Sequence, residues 1–567
     1  MFIDMSETTK ISPNLSSTER IKQKSDGIRG TLAEGLIDEL TGAISDDDQA
    51  LVKFHGMYLQ DDRDRREERA EKKLERLFAF MIRLRIPGGF LTPEQYIALH
   101  HVAGEHSTGT IKITTRQTIQ LHGILKSHAK PTIKAFSAAK LDSISACGDV
   151  NRNVTCAAHP AQSPIHAQVH AYAARISEML LPKTKAYYEI WLDQEKLTDK
   201  SEEEDALYQD RYLPRKFKIG IAIPPNNEVD VLTNDLGLIA IIENDVLLGF
   251  NVAIGGGLGA THGNAETYPR LASVIGYVPA NDDDRLFKAI YTIVTIQRDY
   301  GNRSDRKLAR LKYTLDKYGA DFFREEIAKR AGFALEPARP YVFNERVDYF
   351  GWQQNHQGLW YYTLFIESGR VYDSETLALK TALLEIAGTG KANFRFTTNQ
   401  GLILADIKKK DKALINGILE KYQLLGHTEN ASAIRKNSIA CVALPTCGLA
   451  LAESQRYLPT LLTHIEKLLT AHELDKEAII LRMTGCPNGC GRPYAAEIGF
   501  VGTGPGKYNL HLCGDHEGTR LNRIYKENLD EATILKELDV LFWLFKKERI
   551  TGERFGDFAL RQKWYKA

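Results

Sequence analysis

Ile111-Lys112-Ile113-Thr114-Thr115-Arg116-Gln117, followed by TIQL, and Phe394-Arg395-Phe396-Thr397-Thr398-Asn399-Gln400, followed by GLIL, carry one pattern twice. In each, residues alternate with the period of a strand, a Thr-Thr-x-Gln turn breaks the run, and a second apolar strand follows. A helically patterned segment precedes each, Pro93 to His101 in the first and Glu375 to Ile386 in the second. The copies begin at 111 and 394, 283 positions apart, which is too far for a stacked array and fits two halves of a duplicated chain with pseudo-twofold symmetry. A site between such halves draws residues from both.

The surroundings of the repeats read as α+β. β runs (Phe217 to Ile223, Leu238 to Ile242, Val246 to Val252) are followed by a helical stretch, Ser304 to Tyr318. Near the C-terminus, Ser454 to Leu474 patterns as an amphipathic helix, and the β run Ala478 to Met483 leads into TGCPNGCGRP. At the other end, residues 1 to about 25 are polar and aperiodic and read as a flexible arm. The run Asp61 to Arg76, DDRDRREERAEKKLER, reads as a solvated helix with charges at i, i+4.

A chain of 567 residues, 43% hydrophobic, is long enough for about three or four domains. Its formal net charge of +1 gives no general attraction to nucleic acid or to an anionic membrane. The N-terminus MFIDMSETTKISPNLSSTER has no basic segment followed by an apolar one, and nowhere do eighteen apolar residues run together. A cytoplasmic protein bound to neither membrane nor nucleic acid is expected.

Four of the seven cysteines fall into two loops, Cys441 and Cys447 in CVALPTC and Cys486 and Cys490 in CPNGC. In a reducing compartment a clustered set of thiols binds metal more readily than it forms disulfides. Both spacings are wider than the CxxC of zinc knuckles, which favours an iron–sulfur cluster and leaves a structural zinc ion as the alternative. Cys147, Cys156 and Cys513 have no such partners and read as buried thiols.

Positive charge gathers beside turns at Arg83-Leu84-Arg85, Asn151-Arg152-Asn153, Arg215-Lys216-Phe217-Lys218 and Arg303 to Lys307. Strand alternation puts Lys216 and Lys218 on one face and Phe217 on the other, and two such neighbours call for solvent or an anion. The glycine run Gly255-Gly256-Gly257-Leu258-Gly259 lacks the helix a dinucleotide fingerprint needs, leaving an anion-binding nest or a tight turn. Patterns for serine hydrolases, zincins and P-loop enzymes are missing.

Taken together, the two cysteine loops, the TTRQ and TTNQ repeats, NRNV, PRKFK, RGTLAE, KFHGMYLQDDRD and GKYNLHLCGD resemble the sirohaem-dependent sulfite and nitrite reductases over nearly the whole chain. The resemblance implies ferredoxin-like half-domains at 76–145 and 345–425, α+β cofactor-binding domains at 146–344 and 426–567, and residues 1–75 as an arm and helix packed on the rest. It implies a [4Fe–4S] cluster on Cys441, Cys447, Cys486 and Cys490, with Cys490 also serving as the axial ligand of the sirohaem iron. Arg83, Arg152, Lys216 and Lys218 match substrate-side cations, of which the lysines suit proton delivery better than the arginines. Lys112, Arg116, Gln120, Asn151, Arg215, Lys307 and Gln400 match cofactor-side positions.

The activity so implied is six-electron reduction of sulfite to sulfide for sulfur assimilation and cysteine biosynthesis, with electrons from an NADPH-oxidising flavoprotein (alpha) subunit. The alternative is a ferredoxin-dependent sulfite or nitrite reductase. Nitrite-specialised relatives commonly carry Asn at the position of Lys218, so lysine favours sulfite. One departure is Gly148, where some relatives have an Asn that reaches the haem region.

Overall fold

The computed structural model describes residues 14–159, 164–192 and 205–566. Four five-stranded sheets organise them, in two matching pairs. Sheet I runs Met57–Asp61, Phe78–Arg83, Ile119–Ile124, Ile111–Ile113, Arg370–Val371. Sheet II runs Gly351–Gln354, Trp360–Leu364, Leu402–Ile407, Asn393–Phe396, Phe90–Leu91. Both are wholly antiparallel, and each takes its last strand from the other half of the chain. That exchange of edge strands locks the halves together.

Sheets III and IV share a second topology. In III, Thr155–Cys156, Ile219–Ala222 and Leu236–Glu243 run parallel, and Val246–Ile254 and Ser273–Pro279 return antiparallel. In IV, Ser438–Ala440, Leu481–Thr484 and Ile498–Gly504 run parallel, and Lys507–Leu512 and Arg523–Leu529 return antiparallel. The duplication expected from the two repeats therefore extends to all four sheets.

The repeated turn explains how the sheets are joined. Gln117 and Gln400 both adopt left-handed φ, 50° and 69°. Gln117 donates to the carbonyls of Cys156 at 2.8 Å and Phe396 at 3.2 Å and accepts from the Cys156 N–H at 2.8 Å. Gln400 donates to Ala440 at 2.8 Å and Ile113 at 3.5 Å and accepts from the Ala440 N–H at 3.1 Å. Each glutamine thus pins the first strand of an α+β sheet to both halves. The approach is close enough to require glycine at Gly89 and Gly369, where a Cβ would come within 2.7 Å of Phe396 O and 2.4 Å of Ile113 O.

Helix Pro93–His106 opens with a Thr92–Gln95 capping box and packs against helix Leu379–Gly388, while Tyr96 stacks on Phe394 with ring centroids 4.3 Å apart. Replacing Gln400 by leucine leaves the buried Ala440 N–H unpaired, at about 1–3 kcal/mol, and leaves its C=O with the long 3.4 Å bond from Lys112. A lower midpoint of thermal unfolding is expected, and because Ala440 precedes Cys441, lower iron content as well.

Several local expectations change. Over residues 14–25 the arm is ordered: Ser17–Lys24 is a helix capped by Ser16. Its Glu19 and Lys22 are buried because they pair with each other, and Lys22 Nζ also donates to Leu213 O at 2.8 Å. Residues 1–13 of that reading lie outside the described residues. In 61–76 only Arg66–Glu71 is α-helical, since the chain must reverse between the paired strands Met57–Asp61 and Phe78–Arg83. The helix expected from Ser304 starts at Leu311, because the Asn302 and Asp305 side chains cap backbone N–H groups and favour a turn. The amphipathic helix is Leu458–Ala471. No helix among the described residues is long and apolar enough to cross a membrane.

Candidate functional site

Strands Ser438–Ala440 and Leu481–Thr484 lie parallel and adjacent, so they deliver Cys441 and Cys486 from the same end of sheet IV. The N–H groups of Leu451 and Ala452 both bond the Gly485 carbonyl, at 2.8 and 3.0 Å, which ties the two cysteine loops together. Cys441 Sγ accepts from Gly485 N at 3.3 Å and Thr484 Oγ1 at 3.4 Å, and Cys486 Sγ accepts from Asn488 Nδ2 at 3.5 Å. Arg63 grips the first loop from outside, donating to Cys447 O and Ala450 O, each at 2.9 Å.

Burial, and then the neighbouring Cys490, push the Cys447 thiol up to about 12 and the Cys486 thiol up to about 11, with Cys441 shifted the same way. Thiols crowded like this become thiolates only with positive charge among them, which is what bound metal supplies. Among the described residues no three His, Cys, Asp or Glu side chains gather tightly enough to hold one ion. Cys441, Cys447 and Cys486 are all near enough to Cys490 to feel its charge, as thiols serving one metal group must be.

Cys490 differs from the other three in being exposed. It borders a pocket also lined by Arg116, Lys216, Lys218, Arg310 and Arg492, with no carboxylate in the lining. The cations disfavour one another. Burial, then Arg116 and Arg310, bring Lys218 down to about 7, and burial, then Arg215 and Lys218, take Lys216 well below its ordinary value. Burial, then Arg492, Arg152 and Arg83, bring Arg116 down to about 9. The Nε atoms of Arg116 and Arg492 are buried without a partner. A ligand carrying several carboxylates relieves both conditions, so the residues present fit sirohaem over an exposed sulfur. A roomier cleft of about 670 Å³ opens around Arg435, but that guanidinium is already paired with Glu367 and Glu466.

Of the residues expected on the substrate side, Arg83 ends strand Phe78–Arg83, and the other three come from two segments held together by the Arg152 N to Phe217 O bond at 2.8 Å and the Phe217 N to Val150 O bond at 2.9 Å. Phe217 is buried, and the lysines on either side of it face the pocket, as alternation requires. Arg83 donates to Cys147 Sγ at 3.0 Å and Ala146 O at 3.3 Å; Arg152 donates to Gly148 O at 2.9 Å and Ala146 O at 3.5 Å. Both guanidiniums therefore lean on one turn. Gly148 sits at φ 89°, and a Cβ there would lie 3.0 Å from Phe54, so a side chain at this position would be strained and would have to push Phe54 aside.

The remaining positions divide. Gln120 pairs in register with both Lys112 and Arg83 and, with its amide turned, accepts from Arg83 Nε at 3.0 Å. Asn151 is buried with Oδ1 unpartnered. Burial, then Arg306, bring Arg215 down to about 10. Lys112 and Gln400 do not line the pocket: Lys112 donates to Ser368 O and to Ala440 O at 3.4 Å, so both side chains meet at the residue before Cys441. Lys307 is exposed on a 3-10 turn outside the pocket. The glycine run is no anion nest over residues 255–257, because those N–H groups bond the carbonyls of Asp235, Asn234 and Arg270.

Arg310 and Arg492 are the residues that sequence reasoning missed. Asp235 orients Arg310 through bonds of 2.9 and 2.8 Å and also accepts the Lys218 N–H at 2.9 Å. Arg492 pairs with Asp230 at 2.6 Å and donates to Thr398 O at 2.6 Å in the second repeat. The signal for Arg492 was its place two residues after Cys490; for Arg310 it was the basic run just before it.

The model for the "Nitrite/Sulfite reductase ferredoxin-like half domain" matches residues 76–139 and 353–422, and the "Nitrite and sulphite reductase 4Fe-4S domain" matches 172–335. The latter span covers most of sheet III, whose topology sheet IV shares, whereas the four clustered cysteines lie beyond it. The sulfite reductase [NADPH] hemoprotein beta-component of Leptospira biflexa serovar Patoc is 62% identical over 96% of this chain and 97% of that protein. The protein of the same name from Staphylococcus haemolyticus is 51% identical over 97% and 96%. Among solved structures, the Mycobacterium tuberculosis NirA protein shares the fold, with a TM-score of 0.77 at 24% identity over 96% of each chain.

Proposed function

The chain belongs to the nitrite and sulfite reductase family, and from that premise we propose that it is the haemoprotein component of an assimilatory sulfite reductase, reducing sulfite to sulfide with six electrons. The observation that carries the reading is the carboxylate-free pocket in which five cations surround the exposed Cys490. Cys441, Cys447, Cys486 and Cys490 would hold a [4Fe–4S] cluster, and Arg116, Arg310 and Arg492 would pair with the carboxylates of sirohaem, whose iron Cys490 would also hold. When bound, these groups supply stored electrons and an open iron position for the substrate.

The chain's own residues do the rest. Arg83 and Arg152 stand behind the pocket lining, near enough to Arg116 to disfavour its charge, and, braced on the Ala146 carbonyl, would add fixed positive charge for the sulfite dianion. Lys216 and Lys218 hold protons at Nζ that their crowding makes easier to release, so that sulfite oxygens can leave as water. Asp235 keeps the Lys218 backbone and the Arg310 guanidinium in register. Electrons would come from a separate NADPH-oxidising flavoprotein subunit in the cytoplasm, in keeping with the relatives' names and the lack of a dinucleotide fingerprint in the sequence.

The test is an absorption spectrum of the purified chain with iron and zinc analysis. Haem-type bands with about five irons per chain are expected; a colourless chain with equimolar zinc would overturn the reading. Turnover of sulfite and nitrite with an artificial reductant then separates the two activities within the family.

A further inference from the structure

The scheme above gives no role to Lys312 or to the glycine run 255–259. Lys312 stands at the start of helix Leu311–Ala331, fully buried, with no carboxylate bonded to it among the described residues. Its Nζ donates instead to backbone carbonyls: Gly257 at 3.1 Å, Gly259 at 2.8 Å, and Tyr268. All three ammonium donors are spent on the chain.

The Gly257 and Gly259 carbonyls turn toward Lys312, while the Leu258 carbonyl between them faces the cysteine loop. Leu258 lines the pocket with Cys490. Its carbonyl packs on the cysteine loop so closely that a Cβ at Gly489 would lie 3.2 Å from it. Two further contacts join the same strap to that loop. The Ala260 N–H donates to Pro487 O at 2.9 Å, and a Cβ at Gly259 would lie 3.2 Å from Asn488 O.

We propose that Lys312 is a positioning residue for Cys490: it fixes the glycine strap, and the strap fixes the Pro487–Gly489 turn that aims the Cys490 sulfur into the pocket. The inference rests on the reading of Cys490 as the sulfur shared by cluster and sirohaem, and it assigns the glycine run a mechanical role in place of anion binding.

The experiment is Lys312→Met, which keeps side-chain length and removes the donors, made in the full chain. Sirohaem content and sulfite turnover are expected to fall about 10- to 100-fold, the usual size for a group that orients a ligand from behind. Lys312→Arg, which restores donors, should recover part of the loss. In the metal-free chain, peptide-resolved iodoacetamide labelling should show faster alkylation at Cys490 with Cys156 and Cys513 unchanged, whereas general loosening would raise all three.

Wild-type cofactor content together with wild-type labelling in a folded Lys312→Met chain would overturn the proposal. If that variant does not fold, Gly259→Val decides: it presses on Asn488 O and leaves the carbonyl bonds to Lys312 in place, and an unchanged sirohaem content and unchanged labelling there overturn the proposal equally. A wild-type chain without sirohaem would instead defeat the functional reading, and the labelling in metal-free protein would still decide whether Lys312 sets the turn.

Discussion

Cys490→Ser is expected to lower sulfite turnover by about 10³-fold or more and to abolish the optical signature of cluster and haem acting as one unit. The substitution is nearly isosteric at an exposed position, so the fold of the metal-free chain should change by no more than about 0.5 kcal/mol. What it removes is the soft, readily ionised sulfur: a serine hydroxyl stays protonated at neutral pH and is a poor partner for iron already ligated by sulfur. Cys441 and Cys486 keep their own contacts, because the Thr484, Gly485 and Asn488 donors do not depend on the residue 490 side chain. Residual iron bound without haem bands is therefore the expected product. Cys513→Ser provides the comparison, since that buried thiol donates to Trp564 O at 3.4 Å, far in sequence from the cluster loops, and should leave turnover intact. A Cys490→Ser chain with an unaltered spectrum would overturn the proposal that Cys490 holds the haem iron.

The parts of this molecule legible in the sequence are those set by local chemistry. The Thr-Thr-x-Gln turns announced the duplication because a strand, a turn with one left-handed residue and a second strand leave a pattern within eleven positions. The four cysteines were legible because thiols in glycine-rich loops have few other uses. Partners distant in the chain were not. Nothing near Gln400 shows that it bonds Ala440, nor does anything near Lys112 show a bond to Ser368, 256 positions away. Both resemble donors waiting for a ligand until register brings a carbonyl to them. Glu19 and Lys22 were misjudged for the opposite reason: composition marks them as surface residues, and their burial is made tolerable by pairing with each other and with the distant Arg303 and Asp149. Arg310 and Arg492 escaped because each owes its place to an aspartate in sheet III territory, Asp235 or Asp230, that the neighbouring sequence does not reveal.

Lys218→Ala is expected to cut sulfite turnover by about 10²-fold or more while both cofactors stay bound. Lys218 is one of five cations in the lining, so the other four retain a polyanionic cofactor, whereas the protonating ammonium has no close substitute except Lys216. Loss of haem along with turnover would make Lys218 a cofactor anchor. In the cofactor-free chain the same variant has a sign that can be checked separately. Burial, then Arg116 and Arg310, hold Lys218 near 7, below its ordinary 10.5, so between those values the unfolded chain keeps a proton that the folded chain has released. Wild-type stability therefore gains a rising contribution from this lysine between pH 7 and 10.5, and Lys218→Ala should flatten that part of the curve. Charge also predicts the substrate balance. Removing one cation costs a dianion about twice the Coulomb attraction that it costs a monoanion at the same distance. Lys218→Asn should accordingly weaken sulfite binding more than nitrite binding and raise the nitrite-to-sulfite ratio of kcat/KM; an unchanged ratio would place the discrimination in Arg83 and Arg152, whose guanidiniums share the Ala146 anchor.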